Sequence, residues 1–268
     1  FGIISVLAVE AFQFFSEVSI VDFLTDSQWT PLFTDKHYGI LPLLSGTLLT
    51  SFIAISVALP VGLSISIYLS EYAPKSFRKT IKPLLELLAS IPTVVYGFFA
   101  LIVVTPFLQQ FIPGLSGFNS LSAGIVMGIM IIPFISSLSE DALHAVPKEM
   151  REASYGMGAT KLQTAFKVVV PAASSGIIVS IILAISRAIG ETMIVAIAAG
   201  QQPRLTFDPT VPVETITAYI VQVSLGDVQH GSIEYRTIFA AGITLFVFTF
   251  LLNTLSFYIR KKYRQKYE

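Results

Sequence analysis

Long apolar runs alternate with short polar ones along most of the chain. Five runs, at 40–69, 84–111, 121–138, 172–199 and 238–259, reach or exceed the roughly 18 residues at which an apolar stretch becomes a candidate membrane span. A sixth run, Phe1 to Phe15, covers only about 22 Å at about 1.5 Å per residue. Because the chain opens on Phe1, with no basic leader and no A-x-A cleavage site, this run is read as a first transmembrane helix lacking its beginning. The pattern predicts an all-α polytopic membrane protein of six transmembrane helices. Its organisation is a truncated first helix at 1–16, an outer loop at 17–39, a core at 40–260 and a basic tail at 261–268.

Charge placement orients the spans. The polar segments hold, in order, 1, 4, 0, 4, 2 and 5 Lys and Arg residues, so basic and basic-poor segments alternate without exception. The rich ones carry Lys75, Arg78, Lys79 and Lys82; Lys148, Arg151, Lys161 and Lys167; and Arg260, Lys261, Lys262, Arg264 and Lys266. Positive residues mark the cytoplasmic side, which puts both termini of a multi-pass membrane protein in the cytoplasm. The turn-rich outer loops are expected to be ordered caps.

Composition narrows the function classes. Hydrophobic residues make up 53% and charged residues 13%, against about 25% charged in soluble domains. Neither a disordered chain nor a soluble globule fits. Lys and Arg balance Asp and Glu at 17 each, so no global basic field invites nucleic acid. Cysteine is absent, which removes disulfides, thiol catalysis and Cys-based zinc sites; the 3 histidines show no ligand spacing.

The loop at 141–171 carries the most soluble-facing information. Pro147 suits the first position of a helix, good helix formers follow from Lys148 to Tyr155, and Gly156 and Gly158 break it. Thr160 to Val169 reads as a second amphipathic helix, with Leu162, Phe166 and Val169 on one stripe, ended by Pro171. A short helix presenting the small residues Ala153 and Ser154 suits docking into a groove on another protein. An ordinary interfacial helix has the same periodicity.

Within the fifth apolar run, Arg187 and Glu191 are four residues apart. On a continuous helix they share one face, about 6 Å apart along the axis. An ion at that depth costs about 2.5–3.5 kcal/mol on insertion scales unless it meets a cavity or a partner. One reading has Arg187 contact a translocating oxyanion while Glu191 holds the guanidinium and releases it as the conformation changes. The other is a mutually neutralised pair that joins two helices. Pro92 interrupts a further span, so that the Thr93 and Tyr96 hydroxyls either face a passing anion or sit at a packing kink. Gly124 and Gly128 form a close-approach motif, read as packing.

Glu152-Ala153-Ser154, three residues, Gly158, nine residues, then Val168-x-Val170-Pro171 resembles the E-A-A-x3-G-x9-I-x-L-P signature of bacterial ATP-binding-cassette (ABC) importer permeases. It departs at Ser154, Val168 and Val170. The resemblance implies the type I importer permease fold and makes the loop the coupling helix that docks on a separate ATPase. Glu152, Ala153, Ser154, Gly158 and Pro171 are then its signature positions. The chain has no G-x-x-x-x-G-K-[ST], since Gly156 to Lys161 lacks the Gly-Lys pair. No cofactor is expected in this chain; ATP and Mg belong to the partner ATPase. Ser186 to Met193, SRAIGETM, and Leu88 to Leu101, LASIPTVVYGFFAL, are similar to the permeases of phosphate-specific (Pst) importers. Glu-Thr-Met resembles the PstC branch; the PstA branch has Ala-Pro after Glu-Thr. The family implies a heterodimer with a PstA-like sister permease, a dimer of PstB-like ATPases, a PstS-like phosphate-binding protein outside, and membrane lipid around the chain, with no nucleic acid. Another oxyanion as substrate is the alternative within that family. A secondary anion transporter is the rival outside it, but no inverted repeat supports one. An intramembrane enzyme lacks any H-E-x-x-H, Ser/His or paired-Asp signature.

Overall fold

A computed structural model describes the backbone of residues 2–263 and the side chains of 2–258. Of the expected basic tail, residues 264–268 lie outside the described residues, as do the side chains from 259 on. In chain order the helices are α1 Gly2–Glu17, α2 Ile20–Thr25, α3 Leu41–Ile67, α4 Lys75–Ser90, α5 Thr93–Phe99, α6 Thr105–Gln109 and α7 Ser120–His144. They continue as α8 Lys148–Gly156, α9 Lys161–Thr164, α10 Val170–Ala172, α11 Ser174–Ile189, α12 Met193–Ala198, α13 Ile216–Leu225 and α14 Ile233–Tyr263. Single π-helical turns at Tyr68–Tyr72, Ala100–Val104 and Ala165–Val169 extend or join them. Among the described residues there is no strand, only two isolated bridges.

An apolar chain meeting lipid must satisfy its backbone internally, and helices do so within one segment. Serine and threonine inside these helices return their hydroxyls to the preceding turn: Thr50 to Gly46 O at 2.8 Å, Ser64 to Pro60 O at 2.7 Å and Thr249 to Leu245 O at 2.8 Å. Length and hydropathy qualify three continuous helices as spans: Leu41–Tyr72, Ser120–His144 and Ile233–Tyr258. Two interrupted pairs, Lys75–Ser90 with Thr93–Gln109 and Lys161–Ala172 with Ser174–Ile189, raise the count to at most five. The 16-residue α1 falls below the length of a span, so the expected six are not reached on these grounds. The expected spans at 84–111 and 172–199 are broken. Ile91 and Pro92 are extended (ψ 131° and 133°), because proline withholds a backbone donor and disfavours helix in the residue before it. In the other, α11 stops at Ile189, just before Gly190.

The chain forms two compact units. The first comprises the chain up to Ala54, Pro92–Met127 and Ala188–Phe250. Its core is aromatic: Phe14, Phe23, Trp29 and Tyr219 pack edge to face, with the Trp29 and Tyr219 rings 5.0 Å apart at 85°. Tyr219 Oη and Thr237 Oγ1 are hydrogen-bonded at 2.6 Å, so α13 is pinned to α14. Segments 116–121 and 209–210 are tied by backbone bonds from Ser116 N–H to Thr210 O and from Leu121 N–H to Pro209 O, and Val213 N–H donates to Ala199 O. Gly124 meets α3, where a Cβ would stand 2.7 Å from Ile53 Cβ, which is the packing role read for it.

The second unit comprises Ile55–Ile91, Gly128–Arg187 and the described residues from Leu251 on. Leu143, Val146, Val169, Ala172, Ala173 and Ile177 form its apolar cluster, with Leu63, Ile67 and Met150 against it. Gly62 gives α3 its close approach to α7, since a Cβ there would lie 2.9 Å from Ile135 Cβ. The basic run on α4 does more than anchor a surface: Arg78 and Lys82 both pair with Glu140 of α7, which is 1% exposed.

Candidate functional site

In the loop at 141–171 the helix–turn–helix expectation holds in outline. Pro147 is extended (φ −56°, ψ 142°) and caps α8 instead of opening it. The turn after α8 places Gly158 at φ +83°, in the left-handed region that glycine enters without a Cβ penalty. Thr160 then caps α9 in a capping box: Gln163 N–H donates to Thr160 Oγ1 at 3.3 Å and Thr160 N–H donates to Gln163 Oε1 at 2.9 Å.

Three details differ from the sequence reading. Ser154, expected exposed beside Ala153, is 3% exposed, and its hydroxyl is hydrogen-bonded to that of Thr164 at 2.9 Å. It faces inward because it locks α8 to α9; Glu152, Ala153 and Gly158 remain on the exposed face. Pro171 does not end the second helix. It lies one residue before the end of the continuous helix Lys161–Ala172, and the chain bends by 71° only at Ala173 before α11. The apolar stripe is split as well: Val169 is buried, whereas Leu162 and Phe166 are exposed.

The membrane residues are placed by helix breaks. α11 ends at Ile189, so Arg187 and Glu191 do not share one helical face, and the expected geometry is corrected. Glycine's poor helix propensity at 190 and the non-helical φ of −117° at Thr192 account for the break. Arg187 is exposed, with Nη2 3.7 Å from Met130 Sδ. Glu191 is 7% exposed, and its backbone carbonyl accepts the Thr217 hydroxyl at 2.6 Å. On α5, Tyr96 and Gly97 are the buried residues and Thr93 is half-buried. α5 packs on α12 through Gly97, where a Cβ would stand 2.9 Å from Ile197 Cδ1.

Several residues escaped the sequence reading. Arg151 of α8 and Glu71 form an ion pair at 2.8 Å; the only signals were an acid closing an apolar run and a base beside Glu152. In the first unit, Glu214 is 2% exposed and its Oε1 has no hydrogen-bond partner. It lines a cavity of about 290 Å³ with Trp29, Arg204 and Tyr219 among its walls. Burial pushes the Glu214 carboxyl up to about 8, so it is protonated at neutral pH.

Residues 58–265 match the family described as binding-protein-dependent transport system inner membrane component. The chain is 37% identical, over 96% of its length and 83% of the relative's, to the probable ABC transporter permease protein YqgH of Bacillus subtilis. It is 36% identical, over 88% of its length and 77% of the relative's, to the phosphate transport system permease protein PstC of Mesorhizobium japonicum. Among solved structures, a bacterial ABC transporter involved in the import of the acidic polysaccharide alginate shares the fold. Its matching chain aligns at a TM-score of 0.67 and 16% identity, covering 96% of this chain and 89% of that one.

Proposed function

The chain belongs to the family of binding-protein-dependent transport system inner membrane components, and from that membership we propose that it is a PstC-type permease subunit of an ATP-driven phosphate importer. The observation that carries the substrate is the likeness, over most of the chain, to phosphate permeases such as that of Mesorhizobium japonicum. The fold is that of type I ABC importer permeases, and the protein is a multi-pass membrane protein.

The finer reading assigns roles. The translocation path is shared with a PstA-like sister permease, and a PstS-like protein delivers phosphate from outside. A PstB-like ATPase dimer binds ATP and Mg and docks on α8 through Glu152, Ala153 and the turn at Gly158, with Ser154 and Pro171 shaping the loop from within. Both termini are cytoplasmic, a reading the alternation of basic residues supports.

Arg187 meets the anion in the path. Its guanidinium is exposed on a membrane helix with a thioether beside it, and a planar fork of donors suits a phosphate oxygen pair. Glu191, beyond the break, adjusts the potential around the path, while Thr93 and Tyr96 contribute hydroxyls along α5. A tagged chain purified from native membranes without cross-linker tests the assignment. A second permease and an ABC ATPase are expected to come down with it; their consistent absence contradicts it.

A further inference from the structure

Arg151 spends its whole guanidinium on fixed partners. Nη2 lies 2.8 Å from Glu71 Oε1 and Nε lies 3.2 Å from Glu71 Oε2, a two-pronged fork. Nη1 donates to Val146 O at 2.6 Å and Nη2 also donates to Leu143 O at 2.9 Å. Both side chains are sheltered, Arg151 at 14% and Glu71 at 5% exposed. Ser70 Oγ donates to Glu71 Oε1 at 2.9 Å and holds the carboxylate from behind.

These bonds join three segments. Arg151 belongs to α8, Leu143 O lies in the last turn of α7 with Val146 O in the connection that follows, and Glu71 lies in the π-helical turn that continues α3. A helix C-terminus presents unsatisfied carbonyls and the negative end of its dipole, so a cation is favoured there. Apolar packing alone, as at Met150 and Ile67, lets helices slide. Directed bonds from one rigid planar group oppose both sliding and rotation. A cavity of about 340 Å³, lined by Ser70, His144, Lys148, Arg151, Glu152 and Tyr155, opens beside the fork. A partner's side chain seated against Glu152 is therefore next to Arg151.

We propose that the Arg151–Glu71 pair is the joint through which α8 moves α3 and α7 together. Arg151 is a positioning residue: it touches neither phosphate nor ATP, and it converts displacement of α8 into displacement of two membrane helices. The proposal rests on the reading of α8 as the coupling helix.

The test uses the assembled complex in vesicles with ATP inside and phosphate-loaded binding protein outside, counting ATP hydrolysed per phosphate carried. The main variant is Glu71→Leu/Arg151→Met. Replacing a buried ion pair by apolar residues of similar volume often preserves stability, whereas removing one partner does not. Assembly is expected at the wild-type level, with ATP used per phosphate raised about tenfold, inside the roughly 5- to 150-fold span of coupling between linked sites. Wild-type assembly with an unchanged ratio overturns the proposal and leaves the pair as a stabiliser. If the double variant does not assemble, Arg151→Lys decides: it keeps the charge but not the fork, so a raised ratio supports the joint and an unchanged one overturns it. Ala153→Cys, cross-linked to the ATPase in the otherwise wild-type complex, checks the premise separately. No cross-link there sinks the coupling-helix reading and the joint with it; a cross-link with an unchanged ratio sinks the joint alone.

Discussion

Arg187 and Glu191 are separated by a helix break, so each is tested on its own before the pair. Arg187→Gln keeps hydrogen bonding and loses the charge that offsets dehydration of a phosphate dianion. Uptake is expected to fall to background with the complex intact by size-exclusion chromatography. If Arg187 and Glu191 instead only neutralise each other, each single change lowers complex yield and the double change Arg187→Gln/Glu191→Gln restores both assembly and transport. Recovered uptake in the double variant contradicts a role for Arg187 at the anion. Glu214 makes a separate prediction. Its carboxyl rises from an ordinary 4.5 to about 8 because it is buried, so the folded state holds a proton that the unfolded chain releases. That contribution to stability is full below about 4.5 and is lost as pH rises through about 8. The thermal transition of the wild-type complex is expected to fall across this window more steeply than that of Glu214→Gln. Parallel curves contradict the burial of a protonated group.

At the scale of elements, the turn between α8 and α9 depends on the backbone conformation at Gly158. Gly158 has φ +83° and open space where a Cβ would stand. Gly158→Pro, whose φ is fixed near −65°, is expected to abolish recovery of the ATPase without affecting membrane insertion. Gly158→Asn, which tolerates the left-handed region, should retain most of it. Equal yields from the two variants contradict the turn's role. This loop was the most legible part of the sequence, because Pro147, Gly158 and Thr160 act through local backbone chemistry. The inward turn of Ser154 was not legible: it depends on Thr164, brought opposite by the turn itself. Hydropathy also hid the break at Gly190, since a run of apolar residues reads the same whether or not the backbone bonds are continuous; the break at Ile91 was legible only through Pro92. Arg151, Glu71 and Glu140 were invisible for a different reason. Ion pairs over 80 and 58 to 62 positions of sequence separation leave no periodic trace.

For the whole molecule, the alternation of basic segments predicts which side of the membrane each loop occupies. The chain has no native cysteine, so single cysteines at Lys79 and Lys161 should resist a membrane-impermeant thiol reagent in intact cells, whereas those at Asp35 and Asp208 should react. Labelling of position 161 from outside contradicts the orientation. The central claim, that this chain is the permease subunit of an ATP-driven phosphate importer, is tested most directly by reconstitution. The chain, its sister permease and the ATPase are placed in vesicles with ATP and Mg inside, and radiolabelled phosphate is offered outside on its binding protein. The account predicts phosphate accumulation that needs ATP and disappears with Arg187→Gln. Equal accumulation without ATP, or none for phosphate while another oxyanion accumulates, contradicts it.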